Sequence, residues 1–322
     1  MLKIWLILVL LLPLSVLEAS DSVRGFIKIN NKRELFVDYQ KAKKGEATIV
    51  LLNGLTYSTQ TWENFVQYLN PQKTGFGVLR YDAFGQGKTL SKYGPVYSVI
   101  SYKEQVEDLK NLLQALKIKE PVYLLGLSYG AALAMAFNKA YPQYVDSIIS
   151  MAPYVAPLAT QDLWIRQQIV YTRKMAPYNP ASDDELYDYF LRNLVYTTYP
   201  LAEPSVLENP YKLEGVFRMV QGIRKFEAHN FVSAIPPQGY HLMIAERDQY
   251  IERAIHDEHW KSLPVSARGS RLYIKFSEHK IPEAFPRFAA FWVKKILQKA
   301  ADLKQGKSFR ADPMNGRIEE LR

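Results

Sequence analysis

Residues 121–137 read PVYLLGLSYGAALAMAF, an apolar run broken by Gly126-Leu127-Ser128-Tyr129-Gly130 and resumed with a different period. Residues 122–125 are short, apolar and led by Pro121, the pattern of a buried strand. Beyond Gly130, the residues Ala131, Ala132, Ala134, Met135 and Ala136 are strong helix formers, small where a helix can press on a sheet. The chain therefore runs strand, tight turn, helix, with a serine at the apex. A nucleophile held on so sharp a turn needs both glycines, because a side chain at either position would collide with neighbouring backbone. The pentapeptide also arises by chance as a plain Gly-rich turn. The rest of the chain has to decide.

Length and composition bound the answer. The 322 residues suffice for one large α/β domain or a domain with an insertion. Residues 1–19 carry Lys3, an apolar stretch over 4–17 and a small-residue exit at Ala19-Ser20. The stretch is short for a spanning helix and reads as a secretory signal peptide, with an uncleaved membrane anchor as the alternative. The expected location is periplasmic or secreted. No cysteine occurs, which excludes disulfides and lipid attachment to an N-terminal cysteine, so a secreted fold must rely on core burial. The net charge is +9, with much of the excess late, at Lys294, Lys295, Lys299, Lys304, Lys307 and Arg310. A solvated helix face and a polar tail explain it, and weak association with an anionic membrane or envelope surface stays open. The basic residues are too scattered for nucleic acid.

Outward from the serine, residues 23–29 and 34–39 alternate around Asn30-Asn31-Lys32 as an opening hairpin. Residues 47–52 and 76–81 read as strands that end at Asn53-Gly54-Leu55 and at Asp82. One helix carries Trp62, Phe65, Val66 and Leu69 on one face, and another starts at a Ser101/Glu104 capping box. Strands follow at 145–150, 240–245 and 271–276, then an amphipathic helix at about 282–300. The alternation predicts an α/β fold, a mostly parallel sheet with helices on both faces. Residues 153–236 break the rhythm and read as a helical cap, inserted between core segments 20–152 and 237–300. Residues 301–322 read as a polar C-terminal tail.

Parallel sheets place their sites where strands end, at the C-terminal edge. A serine there becomes a nucleophile only with a base and a group that orients the base. Of five histidines, His279 directly follows the last core strand and is the best base by position. His229 falls in the cap and His241 begins a strand, away from that edge. His256 and His259 share a helix; without HExxH or a third ligand they read as surface residues, so no metal is expected. Asp248, just past the strand at 240–245, is the orienting acid, with Glu246 as its near competitor. Backbone N–H groups of Leu55, beside Gly54, and of Tyr129 fall where an oxyanion hole would form. Gly87-Lys88-Thr89 resembles the end of a phosphate loop, but Asp82 stands where the first glycine would, so neither a phosphate cradle nor a cofactor is expected.

The stretches LLNGLTYSTQTW, VLRYDAFGQGKT, LLGLSYGAALA, LMIAERDQYI and FSEHKIPEAFP occur in this order over about residues 23–300. In them the chain resembles the α/β-hydrolase-fold serine hydrolases with a helical cap, the esterase and lipase-like family. It departs from that pattern at Asn53, usually histidine, at Phe84, usually arginine, at Thr89, usually serine, and at Glu278, commonly glycine. An inward-turned Glu278 carboxylate would raise the pKa of the histidine beside it. The resemblance implies a triad of Ser128, Asp248 and His279 that cleaves a small apolar carboxylic ester through an acyl-serine. Aminopeptidase, lactonase, C–C hydrolase and cofactor-free perhydrolase activities share that triad, and a non-catalytic binding module is the reading from a different class. Aromatic residues of the cap, from Tyr154 to Phe226, are expected to roof the site and favour uncharged groups.

Overall fold

A computed structural model describes residues 22–303 and 306–321; the signal expected at 1–19 lies outside them. One sheet is built from β1 (Ser22–Lys28), β2 (Glu34–Gln40), β3 (Thr48–Leu52), β4 (Gly77–Asp82), β5 (Val122–Leu127), β6 (Val145–Met151), β7 (Tyr240–Ala245), β8 (Arg268–Ile274), β9 (Lys307–Asp312) and β10 (Arg317–Leu321). Their order is β1-β2-β4-β3-β5-β6-β7-β8-β9-β10. The pairs β1/β2, β2/β4 and β9/β10 are antiparallel, and the pairings from β4 through β9 are parallel. The parallel run brings the ends of β3, β4, β5, β7 and β8 to one edge.

Between these strands lie α1 (Glu63–Leu69), α2 (Pro71–Thr74), α3 (Gly87–Tyr93), α4 (Tyr102–Ala115) and α5 (Tyr129–Ala140). The segment between β6 and β7 carries α6 (Ala159–Met175), α7 (Asp183–Ala202) and α8 (Lys212–Ile223). Then come α9 (Arg253–Ser262), α10 (Ile281–Ala284) and α11 (Pro286–Leu297). The two-residue period of a strand divides the core. From β3, Ile49 and Leu51 join Phe65 of α1 and Trp292 of α11 on one face, while Val50 and Leu52 join Leu109 of α4 and Phe137 of α5 on the other. Burial on both faces is why the central strands read as near-continuous apolar runs.

Ile165, Ile169, Leu186, Leu191, Val195, Val216 and Phe217 form a separate small core among α6, α7 and α8. Helix α8 also seats tightly on the sheet domain. A Cβ on Gly215 would stand 2.6 Å from the Gly85 carbonyl oxygen, and one on Gly222 would run into the Ile100 carbonyl.

Two expectations are corrected here. The polar tail expected at 301–322 instead carries β9 and β10, which extend the sheet. Phe309 and Ala311 point into the core, and Arg310 makes a two-pronged ion pair to Glu246 at 2.8 and 2.9 Å. His256 and His259 are not surface residues: both are buried. The His256 Nε2 lies 3.1 Å from the Pro153 carbonyl and His259 Nε2 lies 2.8 Å from the Tyr240 hydroxyl. His241 is buried too, with Nδ1 2.9 Å from the Ser270 hydroxyl.

Burial pushes these imidazoles down, His241 and His256 to about 4 and His259 to about 3. Unfolded, each would bind its proton near the ordinary value of about 6.5. Depressed folded-state values mean stability fully present above about pH 6.5 and lost as pH falls toward 4, because the unfolded chain then binds more protons. We expect the urea midpoint at pH 5 to lie clearly below that at pH 7. Equal midpoints would contradict buried neutral histidines.

Candidate active site

Ser128 occupies the one-residue turn between β5 and α5, with φ 51° and ψ −113°. That conformation costs a residue with a Cβ about 1–3 kcal/mol and persists only where the surroundings over-determine it. They do so here. The Ser128 N–H donates to the Met151 carbonyl at 2.9 Å, and its carbonyl accepts from Ala131 at 3.0 Å and Tyr154 at 3.1 Å. A Cβ on Gly126 would run into the Gly130 and Ala131 backbone, and one on Gly130 into the Leu52 carbonyl. The two glycines thus let helix, strand and the end of β3 converge beneath the serine.

His279, in the loop after β8, is buried and places Nδ1 2.7 Å from Asp248 Oδ2. The other Asp248 oxygen accepts from the N–H groups of Tyr250 at 2.8 Å and Ile251 at 2.9 Å. Burial alone would raise the Asp248 carboxyl, but the His279 hydrogen bond and charge, with those two donors, hold it below the usual range. An ionised carboxylate only accepts. Nδ1 therefore donates, and in the neutral imidazole Nε2 is then the acceptor. The Tyr250 ring packs edge-on against the imidazole, centroids 5.0 Å apart.

Ser128, His279, Gly54, Leu55 and Tyr129 all line one cavity of about 140 Å³ between the sheet edge and α6–α8. The Leu55 N–H donates to no protein acceptor among the described residues, and the Tyr129 N–H opens α5, where helix donors lack intrahelical partners. Two unspent N–H groups thus border the space beside the serine. The Tyr129 side chain is turned away and donates to Gln105 at 2.8 Å. In the loop after β4, buried Asp82 accepts from the N–H groups of Thr59 at 2.6 Å and Lys88 at 2.8 Å.

Three other sequence readings meet the structure here. Glu246, the competitor acid, is engaged by Arg310. Glu278 is exposed, so its carboxylate does not turn in toward His279. The aromatic roof is thinner than expected. Tyr154, Tyr187 and Tyr199 line the cavity, but Trp164, Tyr171 and Tyr178 face outward. Aliphatic side chains supply much of the rest, among them Leu158, Ile165, Leu191, Leu194, Val195 and Ile223. The charged residues on the wall face counter-charges: Asp162 has Arg166 at 2.6 Å, Arg224 has Asp188 at 2.9 Å, and Glu203 has Lys280 at 3.0 Å, a charge contact without hydrogen-bond geometry at the buried Glu203 Oε2. Sequence reasoning missed Tyr250, Glu203 and Lys280. Tyr250 and Lys280 had a signal, in their nearness to Asp248 and His279.

The family described as Serine aminopeptidase, S33, matches residues 43–281. A 2-hydroxy-6-oxononadienedioate/2-hydroxy-6-oxononatrienedioate hydrolase of Paraburkholderia xenovorans (strain LB400) is 34% identical over 140 residues, 42% of this chain and 46% of its own length. The chain spans about half the length of the curated relatives it matches. A thermophilic esterase from Thermogutta terrifontis superposes with a TM-score of 0.60 at 16% identity, covering 86% of this chain and 98% of the esterase. An esterase from Exiguobacterium antarcticum gives 0.61 at 15% identity, with 86% and 100% covered. The architecture is the α/β-hydrolase fold.

The strain at position 128 is measurable. Neither Ser128→Ala nor Ser128→Gly keeps the hydroxyl, but only glycine is at ease at this φ. We expect Ser128→Gly to be more stable than Ser128→Ala by about 1 kcal/mol in thermal or urea unfolding. The reverse order would contradict the strained turn.

Proposed function

The chain belongs to the Serine aminopeptidase, S33 family of α/β-hydrolase-fold hydrolases, and from that premise we propose that it is a serine hydrolase of uncharged, apolar carboxylic esters. The observation that carries this reading is the shared cavity, with Ser128 and His279 in a largely apolar wall whose charges face counter-charges, and Asp248 behind the imidazole. Ser128 Oγ attacks the ester carbonyl carbon while His279 Nε2 takes its proton. The oxyanion forms against the N–H groups of Leu55 and Tyr129. The C–O bond to the alcohol then breaks, and the alcohol leaves with the proton from His279. Water, deprotonated by the same imidazole, opens the acyl-serine and releases the acid. Asp248 keeps the imidazole in the right tautomer and stabilises its cation. Export belongs to the same proposal and rests on residues 1–19.

The curated relative's printed substrate is a dicarboxylate, which favours C–C bond hydrolysis as a second reading. A dianion would need free cations at the wall, and Arg224 and Lys280 already face carboxylates. An aminopeptidase would need a free carboxylate for the substrate amine, and Asp162 and Glu203 are likewise matched. Leaving paired charges undisturbed favours a neutral substrate, because breaking a partly buried pair strands a charge.

The cavity is close in size to engineered ones of about 150 Å³ that admit benzene, so it fits a short acyl group. Across p-nitrophenyl esters, we expect kcat/KM to peak at about four to six acyl carbons and to fall at least about tenfold by twelve, since unaccommodated methylenes lose about 0.8 kcal/mol of burial each. Leu194→Ala should move the peak to longer chains. Greater kcat/KM for a proline or other aminoacyl p-nitroanilide, or for a vinylogous 1,5-diketone acid, than for any ester would overturn the esterase reading.

A further inference from the structure

Leu55 can stabilise an oxyanion only if its N–H is aimed, and nothing in its own side chain aims it. The aim comes from the other end of the same peptide. The Gly54 carbonyl and Leu55 N–H belong to one planar trans unit, so fixing the carbonyl's direction fixes the N–H in the opposite one. Two donors fix that carbonyl: the Tyr57 N–H at 3.1 Å and the Gln86 side-chain amide at 2.7 Å. The same amide lies 3.4 Å from the Leu55 carbonyl. Gln86 is buried and arrives from a different loop, after β4.

That loop is itself rigidly set. Gly85 and Gly87 flank Gln86 at φ 91° and 47°, where a Cβ is strained. Space is lacking as well, since a Cβ on Gly87 would run into the Asp82 carboxylate and one on Gly85 into Ile100. Asp82 is in turn tied to the Thr59 and Lys88 N–H groups. Before the glycine of the oxyanion loop, Asn53 is pinned on both sides: its amide donates to the Tyr81 carbonyl at 3.0 Å and its oxygen accepts from Trp62 Nε1 at 2.8 Å. Between these anchors, the Gln86 amide is the side-chain contact that holds the Gly54–Leu55 peptide plane. Helix α8 leans on this loop through Gly215, 2.6 Å (as a Cβ) from the Gly85 carbonyl, so the seat of the α6–α8 segment and the aim of the donor share one support.

We propose that Gln86 is a positioning residue that orients the Leu55 N–H for transition-state binding by hydrogen bonding to the Gly54 carbonyl. The inference rests on the serine-hydrolase reading. It acts on the transition state rather than the ground state, because the charge that the N–H meets develops only as the carbonyl carbon becomes tetrahedral.

The test uses Gln86→Met, which keeps length and loses the donor, with p-nitrophenyl butyrate as substrate and an alkyl trifluoromethyl ketone as tetrahedral mimic. Complete removal of an oxyanion donor costs about 100- to 1000-fold, and a misaimed one should cost less. We expect kcat to fall about 10- to 100-fold with KM within about twofold. Affinity for the ketone should fall by the same factor as kcat/KM, with the thermal midpoint near wild type. Unchanged kcat, or a kcat loss with wild-type ketone affinity, would overturn the assignment, as would a loss carried wholly by KM. If Gln86→Met does not fold, Gln86→Glu, which keeps shape but turns an acceptor on the carbonyl, takes its place in the same assays. The same losses would then support the assignment, and the same wild-type values would overturn it. Wild-type labelling by a fluorophosphonate is the control. Its absence would sink the serine-hydrolase reading itself, whereas labelled wild type with unaffected Gln86 variants sinks only this inference.

Discussion

The contact on which the site depends is the approach of Gly130 to the end of β3. A Cβ there would meet the Leu52 carbonyl and stand 2.9 Å from the Asn53 carbonyl oxygen. Absence of that one carbon lets the first turn of α5 press against the chain just before Gly54. Two consequences follow from a single packing event. The turn that carries Ser128 is held at a positive φ, and the Gly54–Leu55 peptide is brought alongside the first N–H of the helix. The Ser128 turn and the two N–H groups are therefore placed by the same backbone contact, as preorganisation of the proposed site demands. The parallel sheet supplies the other half of the geometry, because β7 and β8 end at the same edge and deliver Asp248 and His279 to it.

The α6–α8 segment closes the cavity without adding free charge. Its ion pairs are internal, as between Arg224 and Asp188, or reach to the sheet domain, as between Glu203 and Lys280. Glu203 sits just past α7, and Lys280 follows His279 directly, so that pair ties the helical segment to the loop holding the imidazole. An apolar, water-poor space strengthens every dipole aimed into it. On the proposed reading it also sets a chemical filter: a substrate that brings its own charge would have to compete with ion pairs already made.

Much of this was legible because the residues involved obey local rules. Gly126 and Gly130 announce a turn, and apolar runs that end at or a few residues before Asp82, Asp248 and His279 announce strand ends on a common edge. The strands at β9 and β10 were obscured by composition, since Lys307, Arg310, Arg317 and the glutamates at 319 and 320 mask a two-residue alternation in which Phe309 and Ala311 face inward. The Asn315-Gly316 pair was an available hairpin signal. His256 and His259 were misread because a short polar helix gave no sign that it packs over buried partners. Gln86 lay beyond local rules altogether. Its partner is 32 residues away in sequence, and only the folded path of two loops brings amide and carbonyl together. The outward-facing aromatics Trp164, Tyr171 and Tyr178 show the limit of composition: it counts rings but does not say which side of a helix bears them.

The most direct measurement is the site of covalent trapping. Incubated with a fluorophosphonate, the protein should gain one phosphonyl adduct, located by peptide mass spectrometry on Ser128. The adduct should be absent from Ser128→Ala and form far more slowly in His279→Ala, where no base takes the hydroxyl proton. Adduct formation at another residue, or labelling that survives Ser128→Ala, would contradict the assignment of the serine at the strained turn as the nucleophile.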